Sequence, residues 1–198
     1  RMRLIRNHAE AVISDKETQL NNMLGHNFRL GEIECAIGIE QLKKLKKKVT
    51  RRQKIAKILN SGLSNLKGLR TPIVEKNSTH AYYVYPLILN TEIIKVKREK
   101  LINALKKEGL DGILSGYSNL HLLPIFQKKI AYGSKGFPWK QNQKLSKIRY
   151  ARGICPVAEK LHTKTFIGFT MCLYELSNRE VYSIINVFKK VWQNLDKI

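Results

Sequence analysis

The sequence predicts a small fold of mixed α and β type, a short sheet with helices packed on it. Three observations carry that expectation. Residues 80–89 are aromatic and β-branched, as a strand requires. Residues 32–59 and 181–195 repeat apolar side chains every three or four positions, as amphipathic helices do. The order along the chain is helix, strand, helix, strand, loop, helix, strand, helix.

Taken in order, residues 1–30 are polar and turn-rich, with one apolar patch, Ala11-Val12-Ile13, that reads equally as a short helix or a strand remnant. From Glu32 the helical period runs through Ile33, Ala36, Ile37, Ile39, Leu42, Leu45 and Val49, and Ile55, Ile58 and Leu59 resume it. Lysines and arginines between positions 43 and 52 fill the other faces. Asn60-Ser61-Gly62 predicts a stop, or a bend before Leu63 and Leu66. Pro86 cannot donate to a ladder, so the strand over 80–89 is expected to be an edge or to bulge there. Residues 97–108 form a helix that buries Leu101, Ile102, Ala104 and Leu105, and Gly109 ends it. Ile113 and Leu114 start a second strand, and residues 117–124 read as a loop ending in an apolar turn. Residues 127–152 are basic and interrupted by Gly133, Gly136 and Pro138. That pattern predicts a long excursion of the functional or mobile kind. Residues 155–162 read as a helix with Pro156 in its first turn. Residues 166–169 read as a third strand. Ser177 and Glu180 have the spacing of a capping box, and Val181, Ile184, Ile185, Phe188, Val191, Trp192 and Leu195 follow as one apolar face.

The 198 residues, 43% hydrophobic, suffice for one ordinary core or a little more. The formal charge is +22, and lysine supplies 26 of the 37 basic residues. A lysine-led excess reads first as hydrated surface. It also fits a nucleic-acid footprint, an anionic small substrate, or a missing acidic partner segment. Three widely spaced cysteines, with no CxxC and no Cys/His metal spacing, argue against a disulfide scaffold and against a metal centre, and fit a reducing cytoplasm. No apolar run reaches the roughly 18 residues of a membrane helix. No signal peptide is visible, and the start at Arg1 reads as a fragment.

The segment 25–38 is a polar, glycine-bounded loop running into the long helix. Such a junction offers unpaired N–H groups and the positive end of a helix dipole, which suits a phosphate. Asn27 adds an amide donor and Arg29 a forked cation. The basic run at 43–52 surrounds its helix instead of lining one stripe, so it reads as a solvated face before it reads as a nucleic-acid track. No nucleic-acid-binding motif, Ser/His/Asp signature, GxGxxG or Gly-Lys-Ser/Thr loop occurs. His8, His80 and His162 sit without site context, and His121, flanked by leucines, reads from spacing alone as a satisfied core histidine.

Five segments in order carry a resemblance. They are Arg3-Leu4-Ile5-Arg6-Asn7-His8, Gly25-His26-Asn27-Phe28-Arg29 with the helix after it, His80-Ala81-Tyr82-Tyr83-Val84-Tyr85, Tyr117-x-x-Leu120-His121-Leu122-x-Pro124, and Cys155-Pro156-Val157-Ala158-Glu159-Lys160-Leu161. Together the chain resembles the C-terminal half of the DegT/DnrJ/StrS-type pyridoxal-phosphate-dependent nucleotide-sugar aminotransferases. The resemblance implies the α/β fold-type I transferase, with residues 1–60 a remnant of the large domain and interdomain helix, and 61–198 the small C-terminal domain. It implies transfer of an amino group from glutamate to a nucleotide-linked keto-sugar, in a cytoplasmic homodimer with a shared active site. Asn27 and Arg29 match cofactor-binding positions. Tyr117 and His121 match the small-domain loop near the sugar-nucleotide. The catalytic lysine lies upstream of Arg1 in that family, so no residue of this chain is expected to be catalytic and the chain alone is expected to be inactive. Gly116, Ser118-Asn119 and residues 167–170 depart from the family pattern and put the sugar identity in question. The alternative is a basic nucleic-acid-binding or regulatory module without a cofactor.

Overall fold

The computed structural model describes residues 2–8 and 24–198, so the patch at 11–13 lies outside the described residues. The chain divides into two compact units, Arg1–Lys48 and Val49–Ile198. The first holds α1 (Met2–Arg6), an antiparallel bridge between Asn7 and Asn27, and the start of α2 (Glu32–Leu63). The second holds the end of α2, then β1 (Leu69–Arg70), β2 (Tyr85–Leu89), α3 (Thr91–Ile94), α4 (Arg98–Lys107), β3 (Ile113–Leu114), α5 (Pro124–Lys128), α6 (Gln143–Lys147), α7 (Pro156–Lys160), β4 (Phe166–Phe169) and α8 (Asn178–Trp192).

The expected stop at 60–62 does not occur: α2 runs to Leu63. Two of its three polar or small residues, Asn60 and Gly62, are used in packing instead. Asn60 Oδ1 accepts from the Tyr85 hydroxyl at 2.6 Å, and its Nδ2 donates to the Pro72 carbonyl at 3.2 Å. A Cβ on Gly62 would lie 2.4 to 2.9 Å from three carbons of Ile185, so this glycine lets α8 approach closely. Burial raises the Tyr85 phenol well above its ordinary range, with Tyr82 as the smaller cause.

The sheet order is β1-β2-β4-β3, all antiparallel. β2 is therefore interior, not the edge that Pro86 predicted. Yet β1 pairs only with Ile88 and Leu89. At Pro86, opposite Gly168 of β4, the strand has a neighbour on one side alone, and a residue without an N–H is tolerated there. The strand also starts at Tyr85 instead of His80. Tyr82 takes a positive φ of 50°, and its N–H donates to His80 Nδ1 at 2.8 Å, which turns the backbone away from a ladder. The two-residue strand β1 carries no period that a sequence would betray.

The core joins Leu59 and Leu63 of α2, Leu87 of β2, Leu101 and Leu105 of α4, Ile167 of β4, and Val181 and Phe188 of α8. Each such side chain contributes about 1.5–3 kcal/mol relative to an exposed one. α4 and α8 form as expected. Gly109, at φ 87°, follows α4. The capping box opens α8: the Glu180 N–H donates to Ser177 Oγ at 3.3 Å, while the Ser177 N–H and hydroxyl donate to Glu180 Oε2 at 2.7 Å each. The excursion at 127–152 is not a structureless loop. It contains α6 and a 3₁₀ turn at Trp139–Gln141, built around a buried Trp139. The ring of Phe126 meets Trp139 edge-on at 6.0 Å, and Trp139 Nε1–H donates to the Tyr150 hydroxyl at 3.1 Å. α7 ends at Lys160, and a π-helical turn over Leu161–Thr165 carries the chain into β4.

Candidate functional site

In the first unit, the return of the chain past α1 sets Asn27 and Arg29. The His26 N–H donates to the Ile5 carbonyl at 2.7 Å, the His8 N–H to the His26 carbonyl at 3.0 Å, and the Phe28 N–H to the Arg6 carbonyl at 2.9 Å. These bonds clamp residues 26–28 against residues 5–8, and the His26 and Phe28 rings stack at 4.9 Å. Asn27 and Arg29 are thereby brought together: the Arg29 N–H donates to Asn27 Oδ1 at 3.4 Å, and the Arg29 guanidinium donates to Asn7 Oδ1. Both residues are exposed. The Asn27 Nδ2 donors have no partner among the described residues, so an amide and a held guanidinium both remain available to an anion. The start of α2 is a weaker anion site than the sequence implied. Glu32 and Glu34 stand in its first turn and already compensate the dipole.

In the second unit, Tyr117 and His121 have opposite environments. Tyr117 is 85% exposed. The His121 side chain is only 10% exposed, and its Nε2 lies 3.0 Å from Glu159 Oε1. Glu159 also accepts from the Gly153 N–H at 2.8 and 3.0 Å and from the Cys155 N–H at 3.4 Å. Burial pushes the Glu159 carboxyl up, but the Gly153 amide, the His121 ring and the Cys155 amide together hold it below the usual carboxylate range. Gln127 Nε2 donates to the His121 carbonyl at 2.6 Å and also to the Tyr150 carbonyl, tying the loop to the aromatic core of the excursion.

A buried arginine backs this arrangement. Arg98 at the start of α4 donates from Nη1 to the carbonyls of His162 at 2.6 Å, Phe166 at 3.4 Å and Leu161 at 3.5 Å. Its Nη2 meets Glu99 Oε1 at 2.8 Å. The Leu161 and His162 carbonyls belong to the π-helical turn, where a cation satisfies groups that regular α-helix would pair, and the Phe166 carbonyl belongs to the start of β4. Gly116 faces the same turn. Its φ is 124°, and a Cβ there would lie 3.0 Å from His162 Nδ1 and 3.2 Å from the His162 carbonyl, which gives this departure from the family pattern a steric reason. His162 Nδ1 is buried without a partner among the described residues.

Glu159 and Arg98 are the residues that sequence reasoning missed. Glu159 stands inside one of the resembling segments, but its partner is 38 positions away, and no spacing rule links them. A cleft of about 570 Å³, lined in part by Arg70, Asn90, Glu92, Lys160 and Thr165, contains none of the four expected site residues. The chemistry argues against giving it the leading role, because the paired donors at Asn27 and Arg29 and the His121–Glu159 pair both lie outside it. Among the described residues, no group of histidine, cysteine or carboxylate side chains is arranged to hold a metal ion, and no helix is long and apolar enough to cross a membrane.

Comparison with known proteins follows the same residues. The chain is 38% identical over 125 residues to the uncharacterized protein MJ1066 of Methanocaldococcus jannaschii, covering 62% of this chain and 32% of that protein. It is 30% identical over 118 residues to the spore coat polysaccharide biosynthesis protein SpsC of Bacillus subtilis, covering 60% of this chain and 30% of that protein. The chain therefore spans about a third of the length of these relatives. In three dimensions it superposes on the crystal structure of DesV from S. venezuelae with a TM-score of 0.70 at 18% identity, over 98% of this chain and 43% of that one. That likeness establishes the fold: helices and a small antiparallel sheet forming part of a fold-type I domain. The sequence profile of the DegT/DnrJ/EryC1/StrS aminotransferase family matches residues 1–164, which takes in Asn27, Arg29, Tyr117, His121 and Glu159, and the chain belongs to that family.

Proposed function

We propose that these residues are the phosphate-holding and sugar-facing parts of a pyridoxal-phosphate-dependent enzyme that moves an amino group from glutamate to a nucleotide-linked keto-sugar. In this reading it works in the cytoplasm as a homodimer whose active site is shared across the two-fold seam. The observation that carries the reading is the clamped pair Asn27–Arg29 inside the family match. An exposed amide donor beside a guanidinium already aimed by Asn7 fits a phosphate dianion, because both groups donate and neither must move far. Asn27 would donate to a phosphate oxygen, and Arg29 would add charge there or toward a donor carboxylate. Pyridoxal phosphate, when bound, supplies the electron sink for the amino transfer. No lysine of this chain is assigned the bond to it. In this reading the bond is made by a lysine of another segment of the whole enzyme, and the isolated chain is proposed to be inactive.

The sugar side of the reading rests on the loop at 117–123 and on charge. Between Gly112 and Ala158 the chain carries eight basic residues, from Lys128 to Arg152, and no acidic one. A surface of one sign raises the local concentration of an anionic nucleotide-sugar. The test uses a polypeptide that joins this chain to a segment carrying the cofactor-bonding lysine. Such a protein is expected to be coloured by the cofactor and to lose that colour with glutamate. N27A and R29A are each expected to weaken cofactor retention roughly tenfold or more, the worth of a charged hydrogen bond. Full retention in the double variant, or no colour in the native protein, would remove the proposal.

A further inference from the structure

The Glu159 carboxylate is oversupplied with donors. One oxygen, Oε1, faces His121 Nε2 at 3.0 Å, the Gly153 N–H at 2.8 Å and the Cys155 N–H at 3.4 Å, while Oε2 takes the Gly153 N–H at 3.0 Å. An ionised carboxylate only accepts. The proton between the pair therefore belongs to His121 Nε2, and in the tautomer with that single ring proton Nδ1 is an acceptor. No group among the described residues donates to that Nδ1. Turning the His121 ring to find one would break its Nε2 contact with Glu159. The His121 backbone carbonyl is held by Gln127 at 2.6 Å, and the loop is fixed at its far side through the Tyr150 carbonyl. Behind Glu159, Arg98 fastens the turn that follows α7.

From this geometry we infer that Glu159 is a positioning residue: it sets His121 as the Nε2–H tautomer, aims Nδ1 as a hydrogen-bond acceptor for a hydroxyl, and pins the loop of Tyr117 to the Gly153 turn. The hydroxyl is that of the sugar, a choice that rests on the function proposed above. The tautomer and the pinning do not rest on it. Glu159 touches no reacting atom in this account. Its effect passes through His121, and through a loop that ends in the exposed Tyr117 phenol.

Two measurements separate the parts. Nitrogen-resolved NMR of the histidine rings in the 198-residue chain, assigned with H121N, is expected to show His121 as the Nε2–H form, and E159A is expected to convert it to a tautomer mixture. E159Q, which keeps the shape but offers one accepting oxygen in place of two, is expected to speed hydrogen exchange at the Gly153 amide at least tenfold, the loss of a charge-assisted bond. A native Nδ1–H tautomer, or an unchanged Gly153 amide in E159Q, overturns the inference whatever the enzyme does. In the assembled transferase, E159Q is expected to raise KM for the keto-sugar roughly tenfold while the glutamate half-reaction keeps its rate. An equal fall in both half-reactions would mean that Glu159 merely supports the fold.

Discussion

The two ends of α2 carry the same apolar period and meet opposite surroundings. Toward its start, Ile33 is 75% and Leu42 is 69% exposed; toward its end, Leu59 is 1% and Leu63 is 0% exposed. The period says which face of a helix is apolar. It does not say what covers that face, because the cover comes from residues far away in sequence. For the last turns the cover includes Tyr85, Ile185 and Val181 within one core. Helical propensity is supplied along the whole element, while packing energy is supplied at one end.

Truncation at the two ends sharpens this contrast most. Leu59→Ala is expected to destabilise the second unit by about 2–5 kcal/mol, the transfer term plus a cavity term. Leu42→Ala is expected to stay within about 0.5 kcal/mol, as an exposed change does. Denaturant melts of the two variants check the pair. A Leu42→Ala cost as large as that of Leu59→Ala would break the contrast and show the exposed stripe to be covered in solution.

The two glycines of the same helix give the next largest effect, and the signs differ. At Gly38 an added Cβ meets nothing within 4 Å. Gly38→Ala should therefore gain the helix propensity alone, about 0.5–1 kcal/mol of stability. At Gly62 the added Cβ would meet Ile185 at its Cδ1, Cγ1 and Cγ2, 2.4 to 2.9 Å away. A β-branched side chain cannot swing all three aside. Overpacking costs about 1–3 kcal/mol and outweighs the propensity gain, so Gly62→Ala should lose about 1 kcal/mol net. Thermal melts of equal sign would contradict this account of why the helix continues through Gly62.

These cases show what was legible in the sequence. Local chemistry was: the Ser177–Glu180 box, the Gly109 stop and the apolar faces of α4 and α8 each rest on residues within a turn or two of one another. Pro86 predicts an edge or a bulge, and the strand is interior; the proline is tolerated because β1 reaches only Ile88 and Leu89 and leaves Pro86 with Gly168 as its one neighbour, a non-local fact. Gly62 looks like punctuation until α8 is placed beside it. At the candidate site, the family segments named Asn27, Arg29, Tyr117 and His121, and the first pair does come together. The Glu159 partnership and the Arg98 clamp were illegible: Glu159 meets a side chain 38 positions away that no spacing rule links to it, and Arg98 meets backbone carbonyls 63 to 68 positions away that any residue type would supply.

The smallest expected effect concerns the helix that supplies Ile185 to the covered end of α2. Glu180 is held below the usual carboxylate range, first by the Ser177 hydroxyl and then by the Ser177 N–H, against a smaller opposing push from burial. A carboxyl lowered on folding stabilises the fold above its unfolded value near 4.5 and stops doing so as pH falls through the folded value. E180Q removes the titration and keeps the shape. Its melting temperature should lie below that of the native chain at neutral pH, and the gap should close as pH drops below the ordinary carboxylate range. Amide exchange locates the effect. Loosening the first turn of α8 should speed exchange near Leu59 and Leu63, which share a core with Val181 and Ile185, and leave the amides around Leu42 unchanged. If both ends of α2 respond alike, or the gap widens in acid, the capping box is not what couples α8 to the covered end of the helix.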